Sequence, residues 1–542
     1  MNHFLTRVAG KPAQSSTTAR AHTNRLQGRA SLISILMPIG MLAACNDSGF
    51  DHDGVALETG GVTIGGVISG LTGNGLILQD NGADSLSLGG NGTFTFATPV
   101  PTGNTYSVTV ATQPGNPAQS CFVSHGSGTA GTTNVTNVSV ICRTVGQFAY
   151  TANNGSGNVS GFAIDSATGV LTPIPGNPVA VGPSPAQVAL TPSGQFAYVA
   201  TTSGTRIAAF SINQTSGALA PVPGSPFPTP FVKGQPYPGV AAEPEGRFLY
   251  ITSLNDGQIA GFAIDAGSGA LTPVPGSPFA AGAAASGLPA FSPGGYFVYV
   301  TNQTTAGSIS AFHIDQTTGA LTPVPGSPFP AGNTPTWISI TTDARFAYVS
   351  NTGSSSISGY TMNSATGVLS PLPGSPYSDG TQRPIDLTID PAGAHLYVSN
   401  QTSNNISVYA INSNTGVLSP VAGSPFAAGA GPDLVNIEPT GRFAYVSSGS
   451  GNDVHGYSID PTSGALAPLA GSPYAAGADP LFASVDPSGK YVYTANEQSA
   501  DISAFAIDGT TGVLTPVAGS PFTAGIDPFV VSIAPQAQGV RD

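Results

Sequence analysis

The 542-residue chain carries 27 acidic against 14 basic residues, a formal net charge of −13. So few Lys and Arg cannot assemble the concentrated basic surface that a phosphate backbone requires, which excludes nucleic acid as a partner. Charged residues make only 8% of the chain, while 71 Gly and 48 Pro recur at fixed intervals among Val, Ile, Phe and Tyr, a pattern of strands between turns rather than of disorder.

At this length two or more folded units are expected. Residues 1–44 contain no Asp or Glu, and Arg7, Lys11, Arg20, Arg25 and Arg29 precede an apolar run from Leu32 to Leu42. The run is short for a membrane span and ends in small residues, as a signal peptide does. Its end, Leu42-Ala43-Ala44-Cys45, resembles the lipobox of bacterial lipoproteins. The resemblance implies cleavage before Cys45, lipidation of that Cys, and a membrane partner reached through the lipid. The expected location is the bacterial cell envelope. Asn46, where retention at the inner membrane goes with Asp, points to the outer membrane. Residues 45–60 are acidic and polar and suit a tether.

Residues 61–144 alternate in short strands (VTIGGVISGL, GLILQD, SLSLGG, GTFTFAT, YSVTVAT, CFVSHG, NVSVIC) separated by Gly and Asn turns, which predicts a small β-sandwich. Cys121 and Cys142, the other two of three cysteines, read as a disulfide in an exported chain. No second Cys pair or His cluster supplies further ligands, so no metal site is expected.

The remainder is repetitive. An aromatic-x-Tyr strand start recurs at Tyr150, Tyr198, Tyr250, Tyr299, Tyr348, Tyr445 and Tyr493, with His395-Leu396-Tyr397 as the variant. Each is followed by a strand that closes on Asp or Asn (Asp165, Asn213, Asp265, Asp315, Asn363, Asn412, Asp460, Asp508), and Gly stands four residues later. The Asx side chain can cap such a turn and Gly supplies its positive φ. A third strand like LTPVPGSPF and a Pro-led apolar strand such as PIDLTIDP complete four strands per unit, the content of a propeller blade. The Pro-led strands begin at Pro185, Pro238, Pro289, Pro335, Pro384, Pro432, Pro480 and Pro528. The first Tyr strand lacks a Pro-led partner before it, and the last Pro-led strand lacks a Tyr strand after it. The prediction is therefore an all-β, eight-bladed β-propeller over 145–537, closed by the C-terminal strand 528–535. Seven blades is the alternative if one unit packs outside the ring. Residues 538–542 are a tail.

The strands PAQVALTPSGQFAYVA, PTWISITTDARFAYVSN and PIDLTIDPAGAHLYVSN resemble the YVTN and lactonase-like propellers, over about residues 146–535. That family includes 6-phosphogluconolactonases and carboxymuconate-lactonising enzymes, so the resemblance implies a lactonase as a candidate activity; no cofactor is expected. No Arg-His-Glu cluster matches residue by residue.

If the Pro-led strands line the channel, the loops before them and after the Tyr strands share one face. That face would carry Lys233, Arg383, Asp433, Asp479 and Asp527, with Asn302, Asn351, Asn400, Asn496 and Glu497 at the ends of Tyr strands. Lactone opening needs a polarised carbonyl and an activated water. Lys233 and Arg383 could supply the first, Asp433 or Glu497 the second. His395 reads as a solvent-exposed turn residue, His313 and His455 as structural or surface residues of a third strand, and Trp337 as packing between blades. The Asx turns lack the alternating carboxylates of a calcium loop, and no phosphate-binding Gly loop or G-x-S-x-G elbow is present. The leading expectation is a cell-envelope module that binds a small lactone or carbohydrate ligand or an envelope protein. The alternative is a lactone hydrolase at the channel mouth.

Overall fold

Short β-rich segments punctuated by Gly and Pro have no means of burying their apolar side chains alone, and here they do so by stacking sheets. The computed structural model describes residues 61–534 except 70, 72, 115–118, 125, 145–147, 202–204, 232–238 and 379. The expected leader, Cys45 and tether, and the tail, lie outside the described residues, as does Lys233.

Residues 61–144 form two four-stranded sheets. One runs Gly92–Thr95, Ile64–Ser69, Val135–Thr144, Gln119–Ser124, with the central pair parallel; the other runs Asp84–Leu88, Leu76–Asp80, Thr105–Thr112, Ser127–Thr129. Ile64, Leu76, Leu78, Phe94, Phe96, Val108 and Val140 share one core. Cys121 and Cys142 face each other in register on adjacent antiparallel strands and are disulfide-bonded.

From Phe148 onward the described residues form eight sheets with the same antiparallel four-strand order. Numbering blades by their Tyr strands, the inner strands are Pro528–Ala534 (blade 1), Pro185–Leu190 (2), Val240–Ala242 (3), Ala285–Phe291 (4), Pro335–Ile340 (5), Pro384–Ile389 (6), Pro432–Ile437 (7) and Pro480–Val485 (8). Blade 1 takes its inner strand from the far end of the chain: Pro528–Ala534 pairs antiparallel with Phe148–Asn153. The Tyr strands are buried along all six residues, which is why they are apolar throughout instead of alternating.

One device repeats around the circuit. The hydroxyl of each Tyr strand donates to the carbonyl of the Asx-turn glycine in the next blade: Tyr150 to Gly217, Tyr198 to Gly269, Tyr250 to Gly319, Tyr299 to Gly367, Tyr348 to Gly416, Tyr397 to Gly464 and Tyr445 to Gly512. Tyr493 of blade 8 then donates to Gly169 of blade 1. Those glycines have φ of 70–75°, and their turns are capped as the Asx spacing predicts; the Asp165 carboxylate, for example, accepts from the amides of Ala167 and Thr168 at 3.0 and 2.8 Å.

His395 departs from its sequence reading. It is not an exposed turn residue but the first residue of its Tyr strand, 5% exposed, in the position of Phe148, Phe196, Phe248, Phe297, Phe346, Phe443 and Tyr491. The turn position belongs to Ala394. The His395 ring packs where Phe rings pack elsewhere, against the turn glycine of the next blade, and its Nδ1 lies 2.8 Å from the Asp390 carboxylate. An imidazole can replace phenyl there because a carboxylate at the inner turn is already in reach. Trp337 packs against the cluster containing Tyr348, Leu387 and Leu396, between blades 5 and 6.

Candidate functional site

Inner strands enter from one face of the ring, and the chain returns to that face at the end of each Tyr strand. Backbone bonds tie the two together: Gln401 N–H to the Arg383 carbonyl (3.0 Å), Glu497 to Asp479 (2.9 Å) and Asn154 to Asp527 (2.8 Å). Arg383, Asp479, Glu497 and Asp527 therefore share one mouth of the channel.

Not every polar residue at this mouth is available for chemistry. The Asn side chains that end Tyr strands brace the third strand: Asn153, Asn302, Asn351, Asn400 and Asn496 each donate from Nδ2 to a Ser two or more residues into it, at 2.8–2.9 Å. The left-handed backbone at Arg383, Asp479 and Asp527 (φ 60°, 57° and 54°) recurs at Ser184, Ala284 and Thr334, so it belongs to the repeat rather than to a site.

What varies is the next two positions. In seven of the described blades, 1, 2 and 4–8, the pairing between inner and Tyr strand slips at this end. A slip of this kind leaves residues unpaired and re-aims their side chains. The second and third inner-strand residues are Ala186 and Gln187 in blade 2, Thr336 and Trp337 in blade 5, and Ile385 and Asp386 in blade 6. They are Asp433 and Leu434 in blade 7, Leu481 and Phe482 in blade 8, and Phe529 and Val530 in blade 1. A scaffold that repeats everywhere else thus changes chemistry at each step around the mouth.

Asp386 and Asp433 stand on neighbouring inner strands and are 7% and 5% exposed. Burial pushes the Asp386 carboxyl up to about 6. Asp433 is raised well above the usual carboxylate range, by burial first and then by the charges of Asp386, Asp479 and Glu497. Its Oδ2 is buried without a hydrogen-bond partner among the described residues. Withheld from water and crowded by like charge, the group is held toward its protonated form. Arg383 heads the same inner strand as Asp386; it is half-buried, and burial lowers its pKa, although a guanidinium stays charged at neutral pH.

Of the residues expected from the sequence, Arg383, Asp433 and Glu497 lie at one mouth, and Lys233 is outside the described residues. Sequence reading passed over Asp386, Phe482 and Phe529. The available signal was their departure from the repeat at the second and third inner-strand positions, which becomes meaningful once the slipped register is seen.

The model of the family described as lactonase, 7-bladed beta-propeller, matches residues 120–233, 240–431 and 422–526, well over half of the chain. The chain belongs to the lactonase propeller family. This lactonase-family chain differs from that description in having eight blade sheets among its described residues. Solved structures similar to it include two proteins assigned as 6-phosphogluconolactonases, from Bacteroides uniformis (16% identity, 71% of this chain, 99% of that one, TM-score 0.50) and Bacteroides fragilis (18%, 71%, 97%, 0.50). At that identity the likeness is one of fold. A comparison with curated protein sequences gives no match.

Proposed function

We propose that this lactonase-family propeller hydrolyses a cyclic ester at the mouth formed by blades 6, 7 and 8. The observation that carries the reading is the pair of buried carboxyls on neighbouring inner strands, Asp386 and Asp433, the first pushed up to about 6 by burial and the second raised well above the usual carboxylate range by burial and the neighbouring charges. Two titratable groups pushed apart by their surroundings divide into a base and an acid. Asp386, ionised above about pH 6, takes a proton from water as the water oxygen bonds to the lactone carbonyl carbon. Asp433, protonated, gives its proton to the ring oxygen as the acyl C–O bond breaks, leaving the hydroxy acid. Arg383 is positioned to polarise the carbonyl, and Glu497 and Asp479 serve by keeping Asp433 protonated. A plain binding module would use the same mouth without turnover.

The location proposed is the cell envelope, anchored through Cys45. The Cys121–Cys142 disulfide supports an oxidising compartment.

The test is proton release by the purified protein on sugar and simple γ- and δ-lactones, beside Asp386→Asn, Asp433→Asn and Arg383→Ala. Turnover that falls about 100-fold or more in either Asp variant is expected for general acid–base groups. No release above the uncatalysed rate on any lactone sinks the hydrolase reading.

A further inference from the structure

The two inner strands that continue the mouth beyond Asp386 and Asp433 carry aromatic rings instead of charge. Phe482 of blade 8 and Phe529 of blade 1 occupy the slipped ends of adjacent inner strands, each half-buried, with ring centroids 5.5 Å apart at 67°. Four consecutive inner strands therefore carry, at their second or third residue, two carboxyls and then an edge-to-face phenyl pair.

These two features ask for the same guest. Carboxylates attract positive charge directly, and the face of a phenyl ring attracts it through its quadrupole. Asp433 Oδ2, buried and without a donor among the described residues, is an acceptor that a ligand N–H would satisfy, and an orphaned buried acceptor is destabilising until something does. An anion fares badly here: Asp386, Asp433, Asp479, Glu497 and Asp527 stand around the mouth, with Arg383 heading one inner strand among them. A bare metal ion is poorly served as well. Among the described residues no three His, Cys, Asp or Glu side chains are gathered closely enough to hold one, and phenyl rings offer it no ligand atoms.

We propose that the mouth between blades 6 and 1 is a subsite for an organic ammonium group, its N–H accepted by the unprotonated oxygen of the Asp433 carboxyl, its charge balanced by the Asp386 carboxylate, and its alkyl surface laid against Phe482 and Phe529. Resting on the hydrolase reading, this makes the substrate a lactone that carries an amine, and it turns away phosphorylated and carboxylated lactones.

Two measurements separate the proposal from the reading it rests on. The first compares kcat/KM for protonated α-amino-γ-butyrolactone, neutral γ-butyrolactone and a carboxylate-bearing γ-butyrolactone of the same ring. The amine is expected to lead the neutral ring by about 10-fold and the anion by about 100-fold, each factor of ten being about 1.4 kcal/mol. The second needs no catalysis: trimethylammonium, with one N–H and three methyls, is titrated by NMR into the protein and into Phe482→Leu, Phe529→Leu and Asp433→Asn. Binding that weakens several-fold in these variants supports the subsite even if no lactone is turned over, an outcome that would sink only the hydrolase. Turnover that favours the neutral or anionic lactone overturns the subsite and leaves the hydrolase standing. So does trimethylammonium binding that is absent or indifferent to all three variants.

Discussion

The Tyr493 hydroxyl donates to the Gly169 carbonyl at 3.0 Å across 324 residues of sequence. It is the same bond that links every other blade to its successor, made here between the last blade and the first. Together with the pairing of Pro528–Ala534 on Phe148–Asn153, it joins the two ends of the repeat array, so the inner edge of the first Tyr strand is not left open to another chain.

Tyr493→Phe should cost about 1–3 kcal/mol, because the ring still packs but a buried glycine carbonyl loses its donor. Tyr250→Phe, which breaks the Gly319 bond between blades 3 and 4, should cost a similar amount. Chemical denaturation measures both. A Tyr493→Phe loss below about 0.5 kcal/mol would show that the closing bond is dispensable.

Two glycines in blades 6 and 7 separate steric from conformational cost. Gly464 and Gly393 have φ of 72° and 70°, but a Cβ on Gly464 would lie 2.4 Å from the His395 ring, while one on Gly393 meets open space. Gly393→Ala should cost about 1 kcal/mol, the price of a left-handed alanine. Gly464→Ala should cost several kcal/mol more and lower the melting temperature accordingly. Equal losses would mean that the ring moves aside freely.

Asp386 gives the protein a pH dependence of definite sign. Its folded-state pKa of about 6 lies above the ordinary carboxylate value, so the folded form holds the proton more tightly. The stabilisation this gives is complete below the unfolded pKa of about 4 and is lost as pH rises through 6. At pH 8 the buried charge costs on the order of 3 kcal/mol. Asp386→Asn should therefore be more stable than the parent at pH 8 and nearly equal to it at pH 4, while losing turnover. Parallel unfolding curves at the two pH values decide it; a variant less stable at pH 8 contradicts the burial argument. Activity should rise through pH 6 as the base ionises.

Reduction of Cys121–Cys142, which closes a loop of 21 residues, should cost the sandwich about 3 kcal/mol. The propeller's own unfolding should be unchanged, since its sheets and cores contain no cysteine. Domain-resolved calorimetry with and without reductant reads this directly; a coincident shift of both transitions would show that the two fold as one unit.

The sequence by itself determined the all-β class, the blade as the unit, the turn chemistry and the C-terminal strand's place in blade 1. These follow from local rules repeated eight times: an Asx cap, a glycine able to adopt positive φ, and an apolar strand buried on both faces. Repetition makes such signals legible because one irregular copy is outvoted by seven regular ones. It also hid what matters at the mouth. Asp386 reads as one polar residue within an apolar strand, and Phe482 and Phe529 as ordinary core, until the register slips at the inner-strand ends and blades 6, 7, 8 and 1 become neighbours. For His395 the sequence points two ways: the His-Leu-Tyr spacing sets it at a strand start and its polarity suits a turn, and pairing with Ala410 decides for the strand. Burial and like-charge crowding then set the character of Asp433, and neither exists before residues more than 40 apart in sequence are brought to one end of the channel.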